Sequence, residues 1–253
     1  MSWGVRRPDA DDPRCEPALE PGAAVCDPHC HLMDREWIRY LRGDLLEDLA
    51  AGHTVTSTVY VECSASYRIS GPVALRPVGE VESVVAQQVP AGIMGGIVAR
   101  ADLALGTAVG GVLDAHLAVA GGRLRGIRYS TAWDARCDNV GRTPGMLRDD
   151  RVRAGISVLG RFGLPLDCWL YAHQSDDLRA AAHAFPEQVF ILDHLGTPLV
   201  GSADPVRRAG VLADWRRRMR QLAGCPNVRL KVGGLAMHVM GAPWTADAAP
   251  SSQ

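Results

Sequence analysis

Net charge is almost absent from this chain: the formal charge is −1 at neutral pH and the pI lies near 6.7. No global positive field is available to gather nucleic acid or an anionic membrane surface, so neither is expected as a partner. Paired-cysteine motifs are absent too. The seven cysteines, at 15, 26, 30, 63, 137, 168 and 225, are odd in number and irregular in spacing, with no CxxC pair and no zinc-ribbon pattern. Reduced thiols in a cytoplasmic protein are the expectation. No run approaches the roughly 18 apolar residues of a membrane helix, so no membrane span is expected. The opening "MSWGVRRPDADDPRCEPALEPG" lacks the apolar segment of a signal peptide and reads as a flexible leader over residues 1–23.

What is present is a core and an alternation. The 253 residues are 47% hydrophobic, enough for one large domain or two small ones. Strand-like apolar runs occupy 24–29, 55–62, 93–98, 124–129, 166–171, 189–193 and 228–231. Helical stretches lie between them: "LLEDLAA", with Asp44 as its cap and Gly52 as its stop, then 80–89, 106–120, 149–163, 176–185 and 205–224. Gly163 and Gly224 stand where a left-handed residue would close a helix. "DWRRRMR" (214–220) reads as a solvated helix face with Trp215 and Met219 turned inward. Strand then helix, seven times, implies a parallel sheet covered by helices, either an open doubly wound sheet or a (β/α)8 barrel. The Gly-rich phosphate turn of a dinucleotide fold is missing after the first strand; a histidine pair stands there instead. The folded region is expected over 24–240, with an irregular tail over 241–253.

Polar groups gather at the strands' C-terminal ends, where a barrel builds its site. Strand one ends in Asp27, His29 and His31, strand two in Glu62, and strand four in Arg128 and Tyr129. Strand five ends in Tyr171, His173 and Gln174, strand six in Asp193 and His194, and strand seven in Lys231. Residues i and i+2 of a strand share a face, so His29 and His31 could converge on one ion or one carbonyl. Imidazoles bind borderline metals and an open coordination position activates water. Arginine and lysine hold carboxylates or an oxyanion. Such a ring suits hydrolysis of an acyl or lactone carbonyl, or decarboxylation.

Each member also has an ordinary structural role open to it. HxH alone is weak, His194 could cap a helix start, Lys231 could snorkel, and Glu62 could pair with an arginine. Cys30 reads as a small buried hydrophobe. His53, His116, His183 and His238 read as surface or packing residues. Arg123 and Arg125 share a face that Arg128 does not, so at least one set is structural.

The stretches "DPHCHLMD", "VYVECSASYR", "LRGIRYSTAWD", "WLYAHQ", "FILDHLGTPL" and "CPNVRLKVGGLAM" resemble the amidohydrolase-2 family, nearest its sugar and dicarboxylate lactonases. The resemblance runs from about residue 24 to the end. It implies a (β/α)8 barrel, here incomplete at about seven βα units. It implies His29, His31, His194 and, less directly, His173 as metal ligands. His194 and Arg128 would be catalytic, with Arg128, Glu62, Tyr171 and Lys231 contacting substrate. One divalent metal ion, zinc or manganese, is implied as cofactor, although some lactonases work without one.

Two departures stand out. Close relatives read W-L-Y-H-P-Q where this chain reads Trp169-Leu170-Tyr171-Ala172-His173-Gln174, so the histidine has moved by one, a step that reverses faces within a strand. The family's eighth-strand aspartate, its general base, has no counterpart; Asp247 lies in an Ala/Pro-rich tail. The expectation is a truncated barrel with open edges at strands one and seven, inclined to self-associate. Three functions follow: opening of a lactone or related cyclic ester or amide on a carboxylate-bearing small molecule, metal-dependent decarboxylation, or a catalytically impaired remnant.

Overall fold

The computed structural model describes residues 20–36, 38–136, 141, 143–201, 204–235 and 237–240. In chain order its strands and α-helices begin with β1 (Ala24–Cys30), β2 (Met33–Arg35), β3 (Ile38–Tyr40), α1 (Arg42–Leu49) and β4 (Thr54–Val61). Then come α2 (Val78–Val85), β5 (Gly96–Arg100), α3 (Val109–Val119), β6 (Leu124–Ser130) and α4 (Asp150–Arg161). The last are β7 (Leu166–Trp169), α5 (Ser175–Ala184), β8 (Phe190–Leu192), α6 (Pro205–Leu222) and β9 (Val228–Leu230). The described residues group into two compact units: those up to Ala99 with Ala115–Arg125, and Arg100–Asp114 with those from Gly126 on.

In the first unit β1 lies parallel to β4, and β4 parallel to β5. Pro28 has no N–H to give to a ladder, and the β1 register shifts between Asp27 and Cys30, around it. Asp27 turns its carboxylate onto the His29 N–H at 3.0 Å. Cys30 returns to register against Tyr60. The β4 side chains Tyr60 and Val61, with Ile97 of β5, are fully buried.

In the second unit β6, β7, β8 and β9 run parallel in that order. β6 is buried at every residue but Arg125, as expected of a parallel strand covered on both faces. β9 is the exposed one: Leu230 is 44% and the following Val232 78% accessible. α4 shows why its sequence is a helix. Asp149 caps it by accepting from Arg151 N–H and Val152 N–H, and Val152, Gly155, Ile156 and Leu159 form one buried stripe. Gly155 must be glycine, because a Cβ there would sit 2.4 Å from the Leu103 carbonyl oxygen. α6 starts on the Asp204 cap with Pro205 in its first turn.

Seven parallel strands separated by helices make this an α/β fold of the (β/α)8 type, with seven strands among the described residues. Every expected strand is present. Asp44 is not the N-cap of α1: it lies in the first turn and accepts from the Leu41 N–H at 2.7 Å. The expected helix over 106–120 is shorter: Gly106, at φ 60°, kinks a 3-10 stretch, Leu103–Ala108, from within, and α3 begins at Val109. Gly163 adopts the left-handed conformation at φ 65°, and Gly224 does not. The β2–β3 hairpin was not expected: three-residue strands are too short to show a period. The 1–19 part of the leader and the 241–253 tail, with Asp247, lie outside the described residues.

Candidate functional site

The bulged end of β1 brings the two histidines together. His29 Nε2 and His31 Nε2 are 3.1 Å apart, with the rings edge to face. His31 Nδ1 lies 2.7 Å from the Val61 carbonyl oxygen. A carbonyl only accepts, so Nδ1 carries the proton and Nε2 keeps its lone pair. Two nitrogens at ~2.0–2.1 Å from a tetrahedral ion stand roughly 3.3 Å apart. The pair therefore fits a divalent metal in spacing, and His31 fits it in tautomer as well. Glu62, next to Val61 at the end of β4, is 3% exposed and accepts from the Ser64 N–H at 3.2 Å.

The second unit holds a buried charge array across β6 to β9. Arg128 Nε donates to Asp193 Oδ2 at 3.0 Å, and its guanidinium lies 5.1 Å from the Trp169 ring centroid. Lys231, the only lysine of the chain, donates to Asp167 Oδ2 at 2.5 Å and stands 3.7 Å from Asp193 Oδ1. The side chains of Asp193 and Asp167 are 0% and 1% exposed. Two cations against two carboxylates leave the array neutral, which is what makes such depth tolerable. Burial, together with the Asp193 charge, pushes the Asp167 carboxyl up to about 6 against the pull of Lys231 and Arg128. His194 follows Asp193 directly. Burial lowers its imidazole to about 4, with Arg128 and Lys231 adding to the effect against Asp193. His194 is neutral at pH 7 and keeps a lone pair for a metal or a proton.

Arg128, Lys231, Asp193 and His194 thus meet in one unit, and His29 and His31 meet in the other. His173 stands apart from the charge array in its contacts. It sits in the 3-10 turn Ala172–Gln174, its side chain is 43% exposed, and Nε2 lies 3.1 Å from the Trp133 carbonyl oxygen and 4.0 Å from Asp134. Tyr171 is buried, with its ring 6.2 Å from that of His173. Arg123 and Arg125 tie down loop carbonyls at the start of β6, at Met94, Gly122 and Leu124, so theirs is the structural set. Cys30 is buried against Thr58 and its thiol is pushed up to about 11, the inert behaviour of a small hydrophobe. The five cysteines among the described residues are free thiols.

Asp167 was missed from sequence because it lies inside the apolar run "LDCWL" rather than at a strand end. Gln174 was noted only as a polar strand end. It is a staple: its side-chain oxygen accepts from Trp133 N–H and Tyr171 N–H, and its amide donates to the Thr131 carbonyl.

The histidine pair in one unit, and the Asp193–Arg128 pair with Lys231 in the other, stand on a parallel α/β fold. The amidohydrolase family model (Amidohydro_2) matches residues 26–252, and the chain belongs to that family. An uncharacterised protein of Sinorhizobium fredii is 29% identical over 237 residues, which cover 85% of this chain and 74% of that one. Among solved structures, an amidohydrolase of Burkholderia multivorans with bound HEPES is 22% identical with a TM-score of 0.68, covering 91% of this chain and 75% of its own. A second crystal form of an amidohydrolase from that organism, with bound zinc, is 21% identical with a TM-score of 0.63, covering 85% and 72%. A 2,6-dihydroxybenzoate decarboxylase from Rhizobium is 13% identical with a TM-score of 0.53, covering 87% and 82%. These structures share the fold.

Proposed function

We propose that this protein is a hydrolase that opens a lactone or a related cyclic ester or amide on a small, carboxylate-bearing substrate. The observation that carries the reading is the His29–His31 pair: two Nε2 atoms 3.1 Å apart, with the His31 tautomer fixed by the Val61 carbonyl. His29, His31 and His194 are the proposed ligands of one divalent ion, zinc or manganese, with His173 as a further candidate. When bound, such an ion polarises a carbonyl and lowers the pKa of water. Among the chain's own groups, His194 stays unprotonated at neutral pH and serves as third ligand or proton acceptor. Asp193 holds Arg128 at its Nε, and Arg128 anchors the substrate carboxylate. Glu62, Tyr171 and Lys231 are the proposed pocket wall. The test is a panel of lactones and cyclic amides given to the zinc- or manganese-loaded chain, with acid release followed by pH-stat and headspace CO2 followed in parallel. Ring opening without CO2, lost in Arg128→Met, is the expected result. CO2 from an aromatic or unsaturated acid replaces the reading with a decarboxylase, and inertness toward the whole panel removes it.

A further inference from the structure

The turn that carries His194 is bent in an unusual way. His194, Leu195, Gly196 and Thr197 have φ values of 53°, 56°, 68° and 37°, four consecutive residues in the left-handed region, three of them with side chains. Such a run persists only where its surroundings hold it. Here they do. Leu195 N–H donates to the Lys231 carbonyl at 3.1 Å, and Trp215 Nε1 donates to the Leu195 carbonyl at 2.7 Å. Trp169 Nε1 donates to Thr197 Oγ1 at 3.1 Å, while its ring system and the His194 ring meet nearly perpendicular, 5.8 Å between centroids.

Trp169 thus borders the imidazole on one side, and Gly234 also lies against it. A Cβ built on Gly234 would lie 2.7 Å from Cγ of His194 and 2.8 Å from both its Cβ and its Nδ1. Real side chains do not approach that closely, and the blocking atoms belong to the root of the ring, not to a flexible tip. At Gly233 the corresponding distance is 3.9 Å, ordinary contact. We propose that Gly234 is a positioning residue: the space of its missing side chain is the seat of the His194 imidazole. The "KVGG" after β9 then sets the direction in which His194 presents its nitrogens. This rests on the reading of His194 as a metal ligand.

The test separates the seat from the backbone. Gly234 has φ +70°, so alanine there is strained whatever it touches; Gly163 has φ +65° with nothing within 4 Å of its built Cβ. Gly163→Ala is therefore the control for strain alone. Gly234→Ala and Gly163→Ala are made in the wild-type chain and in a His194→Ala background, and thermal midpoints and zinc affinity are measured. Gly234→Ala should lower the midpoint more than Gly163→Ala does, the excess should shrink in the His194→Ala background, which removes Cγ and Nδ1 and keeps only the Cβ contact at 2.8 Å, and zinc binding should weaken at least ~10-fold. Where Gly234→Ala alone does not fold, recovery of folded protein in His194→Ala/Gly234→Ala supports the same conclusion. Equal losses at the two glycines in both backgrounds, or a Gly234→Ala chain that binds zinc as the wild type does, would overturn it. Absence of zinc binding in the wild type sinks the metal reading alone; the thermal cycle then decides whether Gly234 seats the ring.

Discussion

Asp167 shows how one buried side chain imprints itself on the whole chain's response to pH. Its carboxyl titrates near 3.8 when solvated and is pushed up to about 6 in the fold, chiefly by burial. A group that holds its proton more tightly when folded makes stability fall as pH rises through the window between those two values. Below the window both states are protonated, and above it the penalty is constant. Asp167→Asn is therefore expected to remove a downward slope between about pH 4 and pH 6. Urea midpoints of the two chains across that range check it; a difference that stays flat contradicts the assigned environment. Other carboxylates work in the opposite direction: the partners of Arg136 and Arg68, the buried Asp134 and the exposed Glu82, are lowered by those arginines, so the slope must be read as a difference between chains. The His29–His31 pair makes the complementary point. Period-2 reasoning put both imidazoles on one face, and the bulge at Pro28 bends the strand there without separating them.

Among elements, the join between β6 and β7 depends on Gln174. Its amide satisfies two N–H groups and one carbonyl in a place that is 8% exposed. Leaving a buried polar group unmatched costs about 1–3 kcal/mol. Gln174→Ala is expected to cost on the order of 3 kcal/mol, measured from the urea midpoint. Gln174→Glu should not restore it, because a second carboxylate oxygen would then face the Thr131 carbonyl. A loss under about 1 kcal/mol would show that solvent replaces the staple. The same elements show what a sequence discloses. All seven parallel strands were legible, since each is a short apolar run between turn signals. The polar residues at their ends were legible because the fold concentrates chemistry there. Asp167 was not, since one acid inside a buried run looks like a break in a pattern and not like half of an ion pair. The β2–β3 hairpin, "MDR" against "IRY", was hidden by its length. The one-residue displacement at Ala172-His173 was legible as a departure, and the structure gives His173 the Trp133 carbonyl as its contact.

Across the whole molecule, membership in the amidohydrolase family and the paired histidines support the proposal that the chain holds a divalent ion through the end of β1. No helix among the described residues is long and apolar enough to cross a membrane. A ligand that binds only the folded state adds RT ln(1 + [L]/Kd) to stability, so ion binding also reports on the native site. The most direct measurement is elemental analysis of metal per chain after loading and dialysis, for the wild type and for His29→Ala/His31→Ala. The account predicts roughly one zinc or manganese ion per chain in the wild type. It predicts loss of that ion in the double variant, with the far-UV spectrum unchanged. A wild type that retains no ion, or a double variant that retains as much, would contradict it.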